Sequence, residues 1–140
     1  MKLRLMYILG IISLILSSFI LLLMFFWTLY PYKPIVINKE PIKVITKEVK
    51  KGDILIYELD YCKNDVNDVS ISRSFVDGII FTTPSITVKN PIGCKVSNVS
   101  IQVPETLPEG EYYLKVSYSY QVNPIRKVSV DSTTETFTVK

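Results

Sequence analysis

Residues suited to chemistry are scarce in this chain of 140 residues. It has no His, which removes the commonest general base, the commonest metal ligand and the usual switch near neutral pH. Two Cys, at 62 and 94, cannot close a four-ligand zinc site without His. They do not form a Cys-x-x-Cys motif, so a redox-active pair is not expected. In an oxidising space Cys62 and Cys94 are expected to pair, and closing a loop of that size is worth about 3–4 kcal/mol. Asn64-Asp-Val-Asn-Asp68 gathers oxygen ligands of the kind calcium takes. The EF-hand spacing fails there, with no Gly at the turn and no Glu twelve residues on, so a polar loop is expected. No Ser/His or Cys/His pair exists, and no acidic pair stands out by its context. The expectation is a protein that is not an enzyme, with no catalytic residue, cofactor or metal.

Two residues remain as candidates for a binding surface. Among nine Tyr, Tyr112, Tyr118 and Tyr120 share one face of an alternating run, and core filling explains them. Tyr113 projects to the other face and could serve a sugar- or protein-binding platform. Arg126 closes Asn123-Pro-Ile-Arg126, where a turn would present it at a loop tip or pair it to a carboxylate. Asn98-Val-Ser100 matches a glycosylation sequon but falls in an expected strand.

Hydrophobicity is concentrated at one end of the chain. Residues 5–30 contain no charge and are rich in Leu, Ile and Phe. About 20 apolar residues suffice to span a bilayer as a helix. Trp27, Tyr30 and Tyr32 follow at the level favoured by amphipathic rings. Pro31 and Pro34 are expected to stop the helix. The run is longer than a signal h-region, and its bulky end, Phe25-Phe-Trp-Thr-Leu-Tyr30, does not suit signal cleavage. Residues 1–30 therefore read as an uncleaved signal anchor, with residues 5–30 in the lipid bilayer. Flanking positive charge is nearly balanced. The short N-terminal tail and the placement of both Cys beyond the span favour an extracytoplasmic C-terminal segment.

Residues 31–41 hold three prolines and read as an extended stalk. From Lys33 to Lys51 there are six Lys and two Glu, a local charge of +4. From Gly52 onward eight Lys and Arg face eleven Asp and Glu, a charge of −3. The basic charge could meet anionic headgroups or envelope phosphates, though a solvated linker accounts for it as well. An acidic distal segment without a basic stripe argues against nucleic-acid binding.

Residues 42–140 show strand periods and no helical one. Tyr112, Leu114, Val116, Tyr118, Tyr120 and Val122 alternate strictly with their neighbours. Leu55, Tyr57, Leu59 and Tyr61 do the same, which turns Cys62 to the opposite face. Val69, Ile71 and Phe75 lead into Asp77-Gly78, a hairpin signal, followed by Ile79-Ile-Phe81. Pro84 limits the next strand to an edge. Asn90-Pro-Ile-Gly93 reads as a turn, Val99, Ile101 and Val103 as a strand, and Val128 with Val130 and Phe137 with Val139 as short ones. Ile42, Val44 and Val49 could supply a first edge strand. Seven or eight short strands in about 100 residues argue for a two-layer antiparallel β-sandwich, with a small barrel as the other arrangement.

Leu107-Pro-Glu-Gly-Glu-Tyr-Tyr-Leu-Lys-Val116 resembles the turn-and-strand element Leu-Pro-x-Gly-x-Tyr-x-Leu-x-Val of immunoglobulin-like domains. A wider set runs through Tyr30-Pro-Tyr-Lys-Pro34, Tyr61-Cys-Lys63, Arg73-Ser-Phe-Val-Asp-Gly78, Gly93-Cys94, Tyr120-Gln-Val-Asn-Pro-Ile-Arg126 and Thr134-Glu-Thr-Phe-Thr-Val139. With it the chain resembles small membrane-anchored immunoglobulin-like proteins of tailed bacteriophages and related environmental sequences. That resemblance implies a phage or bacterial source and no assigned activity.

These readings combine into an all-β protein: an immunoglobulin-like antiparallel β-sandwich preceded by one transmembrane helix. The expected role is non-catalytic binding or docking of a protein or cell-envelope partner. A second reading is a structural subunit of a larger membrane assembly. There the helix itself makes the contacts, through Ser13, Ser17 and Ser18 near one face.

Overall fold

The computed structural model describes residues 2–30 and 32–140. They fall into two compact units. The first is the N-terminal segment to Tyr32 together with the turn Asn123–Arg126; the second holds the rest of the chain.

In the first unit, α1 runs from Lys2 to Leu29. From Met6 to Leu29 it is long and apolar enough to cross a membrane. Two of its hydroxyl side chains turn back on its own carbonyls. Ser17 Oγ donates to Leu14 O at 2.9 Å, and Thr28 Oγ1 donates to Phe25 O at 3.0 Å. Such local bonding satisfies each hydroxyl within the helix itself. The aromatic exit is packed on itself, with the Phe26 and Tyr30 rings 5.0 Å apart and those of Tyr30 and Tyr32 6.4 Å apart. Pro31, expected to help stop the helix, lies outside the described residues.

The second unit is built from strands, of which only the end residues Asn123 and Arg126 belong to the first unit. In chain order these are β1 (Ile35–Ile37), β2 (Lys43–Val44), β3 (Glu48–Val49), β4 (Ile54–Lys63) and β5 (Val69–Asp77). They continue with β6 (Ile79–Thr82), β7 (Ile86–Val88), β8 (Gly93–Gln102), β9 (Gly110–Asn123), β10 (Arg126–Thr133) and β11 (Phe137–Val139). In one sheet β4 is central, flanked by β8 on one edge and by β1 and β2 on the other. In the second, β3, β11, β9, β5 and β6 follow in that order, with β10 beside β9 and β7 beside β5.

The strongest alternation becomes a central strand. Tyr112, Leu114, Val116, Tyr118 and Tyr120 of β9 are buried, and so are Leu55, Tyr57, Leu59 and Tyr61 of β4. These faces join Val69, Phe75, Phe137 and Val139 in one core cluster drawn from both sheets. The hairpin at Asp77-Gly78 pairs Asp77 with Ile79 around Gly78, whose φ of +64° suits a residue without Cβ. As Pro84 required, β7 is a short edge strand.

Two local expectations change. Residues 35–37, expected within the stalk, form β1, and Ile35 pairs with Lys63 and is buried. Pro34 and Pro41 flank this β-branched triplet without entering it, so its amides remain able to pair. The single edge strand expected at 42–49 is split. β2 pairs with β4, whereas β3 runs parallel to β11 in the other sheet. Between them Ile42 bridges to Thr134, and Ile42 N donates to Thr133 O at 2.8 Å. One short segment therefore contributes to both sheets, with the buried side chains Ile42, Val44 and Val49 on its inner side.

Candidate functional site

Strand β4 brings Cys62 opposite Cys94 of β8, and the two sulfurs are bonded. The bridge joins neighbouring strands of one sheet near their ends, and Cys94 is exposed. Asn38 lies beside it, donating from Nδ2 to Asp60 Oδ1 at 2.7 Å.

The other residues singled out in the sequence are scattered. Tyr113 sits on the outer face of the second sheet, paired with Val76 and exposed. The other tyrosines of β9 point to the core, so no aromatic platform surrounds it. The nearby surface is polar instead, with Ser117 Oγ donating to Asp131 Oδ1 at 2.6 Å and Lys115 bridging Asp131 at 2.9 Å. These two partners hold the Asp131 carboxyl below its ordinary range. Arg126 opens β10, and its guanidinium donates to Tyr30 O at 2.6 Å within the first unit, not to a carboxylate. Asp65 closes the polar loop on itself, accepting from Asn67 N and, at 2.7 Å, from Asn67 Nδ2. Among the described residues no group of three or more acidic or Cys side chains is placed to hold a metal ion.

The structure instead assembles a cleft of about 530 Å³ from residues that sequence reading had not linked. Its walls are Ile101, Gln102, Val103, Pro104 and Glu105 on one side and Arg73, Thr83, Pro84 and Ile86 on the other. It therefore lies where the end of β8 in the first sheet faces the β5–β7 region of the second. Arg73 stands on the core-facing side of β5, in step with Val69, Ile71 and Phe75. It is half-buried, and its Nε donates to Tyr57 OH at 3.2 Å. Burial raises the Tyr57 phenol above its ordinary value, and the Arg73 charge partly offsets this. The signal for Arg73 was present in the sequence: one cation in the apolar phase of an alternating strand.

Two further features mark this core. Tyr118 and Tyr120 hydroxyls are buried with no hydrogen-bond partner within the chain, and burial pushes both phenols upward. Lys63 is 1% exposed, with Nζ donating to Asn90 O at 2.7 Å, while Asn90 Nδ2 donates to Tyr61 OH. That chain of bonds fastens the turn before β8 to the end of β4.

No family model matches the sequence, and no curated protein matches it. Among solved structures the chain is similar to the sporulation control protein Spo0M of Bacillus subtilis. The match has 10% identity and a TM-score of 0.37, and covers 78% of this chain and 50% of that one. The likeness is too distant to bear on fold family or function.

Proposed function

We propose that this chain is a single-pass membrane protein displaying an immunoglobulin-like β-sandwich outside the cytoplasm, as a non-catalytic module that binds or docks another protein or an envelope component. The observation that carries the proposal is α1. Its described side chains between Met6 and Leu29 are almost all exposed, although nearly all are apolar. An apolar surface of that extent needs lipid or protein around it.

The immunoglobulin-like reading draws support from topology and from one local bond. One short segment serves both sheets, β4 pairs β8, and β9 lies between β5 and the strands at the end of the chain. Tyr112, at the start of β9, donates from its hydroxyl to Pro108 O at 3.1 Å. A Tyr at this corner bonding back to the backbone is a hallmark of such sandwiches. The bridge differs from the antibody pattern, because it links two strands of one sheet. A disulfide suits an oxidising compartment, which supports the outward placement. The sequence resemblance to phage membrane-anchored proteins points the same way and suggests the host envelope as the setting.

Reporter fusions after Lys140 test the reading. Alkaline phosphatase, which needs oxidising conditions, is expected to be active there in a bacterial host, and a cytoplasm-dependent fluorescent protein dark. The reverse result would place the β region inside the cell.

A further inference from the structure

We infer that the free edge of β8 receives an extended segment of a partner protein, apolar at alternate positions and carrying a carboxylate that Arg73 binds. This deepens the proposed binding role and does not depend on membrane orientation.

Three observations converge. First, β8 is ten residues long and pairs along its whole length with β4, while among the described residues its other edge has no strand. Val103 N donates to Asp53 O at 2.9 Å, and register continues in steps of two. Antiparallel pairing then turns the backbone groups of Val96, Asn98, Ser100 and Gln102 away from β4. A row of unpaired amides and carbonyls is a template for one more strand.

Second, this edge lacks the usual protection. Charges, prolines or short length normally blunt an exposed edge. Strand β10, which among the described residues pairs with β9 alone, carries Arg126, Lys127 and Asp131 in eight residues. Strand β8 carries Lys95 alone and leaves Val96 58% exposed. The strand next in line to cover it, β7, pairs with β5 in the other sheet. The place beside β8 is thus left open by the chain's own topology.

Third, an added strand would project alternate side chains over the cleft that begins at Ile101 and Val103. Pro84, Ile86 and Pro104 make it apolar, which suits aliphatic side chains. Arg73 supplies a cation there, and its Nε donates to a neutral phenol, Tyr57 OH. Glu105 lines the same cleft, and the ion pairs found among the described residues do not join it to Arg73. A guanidinium held by one neutral bond in a half-buried site is complementary to a carboxylate, which it can grip through two parallel bonds. A second copy of β8 is a poorer fit, because its ten residues hold no acid.

The test uses the full chain in detergent micelles and two acetylated, amidated eight-residue peptides of alternating valine and threonine. One carries a central aspartate, the other asparagine in its place. The aspartate peptide is expected to bind, and Arg73→Gln to weaken it about tenfold while leaving the asparagine peptide nearly unchanged. Asn98→Pro and Ser100→Pro each remove one outward amide without touching the β4 ladder, and are expected to abolish binding at an unchanged thermal midpoint. Should a proline variant fail to fold, amide chemical shifts of the unaltered protein decide. Peptide must then perturb and protect Val96, Asn98 and Ser100. Absence of peptide binding at millimolar concentration, binding indifferent to both prolines, or light scattering that shows a dimer broken by Asn98→Pro would each overturn the proposal. None of these outcomes bears on the reporter fusions, so the anchored placement stands or falls separately.

Discussion

Strands β8 and β9 are among the longest in the molecule, and they do opposite work. β9 lies inside its sheet, with a buried residue at every second position from Tyr112 to Tyr120. β8 lies at an edge, and of its ten residues only Ile101 is buried. The contrast teaches where stability and recognition are separated. The inward side chains of β9 fill the core and its backbone is paired to strands on both sides, whereas β8 adds little to the core and leaves one edge of its backbone unpaired. Changes in β9 should therefore cost folding, and changes in β8 should cost contacts with other molecules.

The largest expected effect is at the centre of β9. Leu114 is fully buried between β5 and the strands at the chain's end, so Leu114→Ala should destabilise by about 4–5 kcal/mol in urea unfolding. A loss below about 1 kcal/mol would break the assignment of β9 to the core. The bridge that fastens β8 to β4 comes next. Cys62→Ser with Cys94→Ser opens a loop with a sequence separation of 32 and should cost about 3–4 kcal/mol. The midpoint in urea should equal that of the reduced wild type, since both lack the same bond.

Alkali sharpens the comparison through the core phenols. Tyr57, Tyr118 and Tyr120 hold their protons more tightly when folded, chiefly because burial disfavours the anion. A raised folded value means full stability below the ordinary phenol value of about 10, lost as pH rises beyond it. Tyrosinate absorbance from these three should appear together with unfolding, and a gradual rise in a folded protein would contradict their burial. Smaller still is Tyr118→Phe. Its hydroxyl has no partner within the chain, so removal should raise stability by up to about 1 kcal/mol. On β8, Val96→Thr should change stability by less than about 0.5 kcal/mol, because the side chain is exposed.

The period-two run of β9 and the four-residue face of β4 could be read directly, since alternation is local and a single residue's step decides each side. The element Leu107–Val116 likewise marked its own turn. Other features depended on distant partners. Ile35–Ile37 looked like stalk because Pro34 and Pro41 bracket it, and only its pairing with Tyr61–Lys63 makes it a strand. The segment 42–49 could not reveal that Val49 would meet β11 in the second sheet. The cleft was hidden for the same reason. Arg73, Ile86 and Val103 come from three separate segments, and local sequence has no term for their meeting. Arg73 alone left a trace, as a charge in an apolar phase.

The placement of the β region is the claim on which the functional account turns, and a thiol count addresses it most directly. The full chain is expressed in a bacterial host, denatured without reductant, and labelled with a maleimide mass tag. The account predicts no tag on Cys62 or Cys94 without reductant and two tags after reduction, as for a domain that folds in an oxidising space. Two tags in both conditions would contradict it, leaving the strands in the cytoplasm with both thiols free.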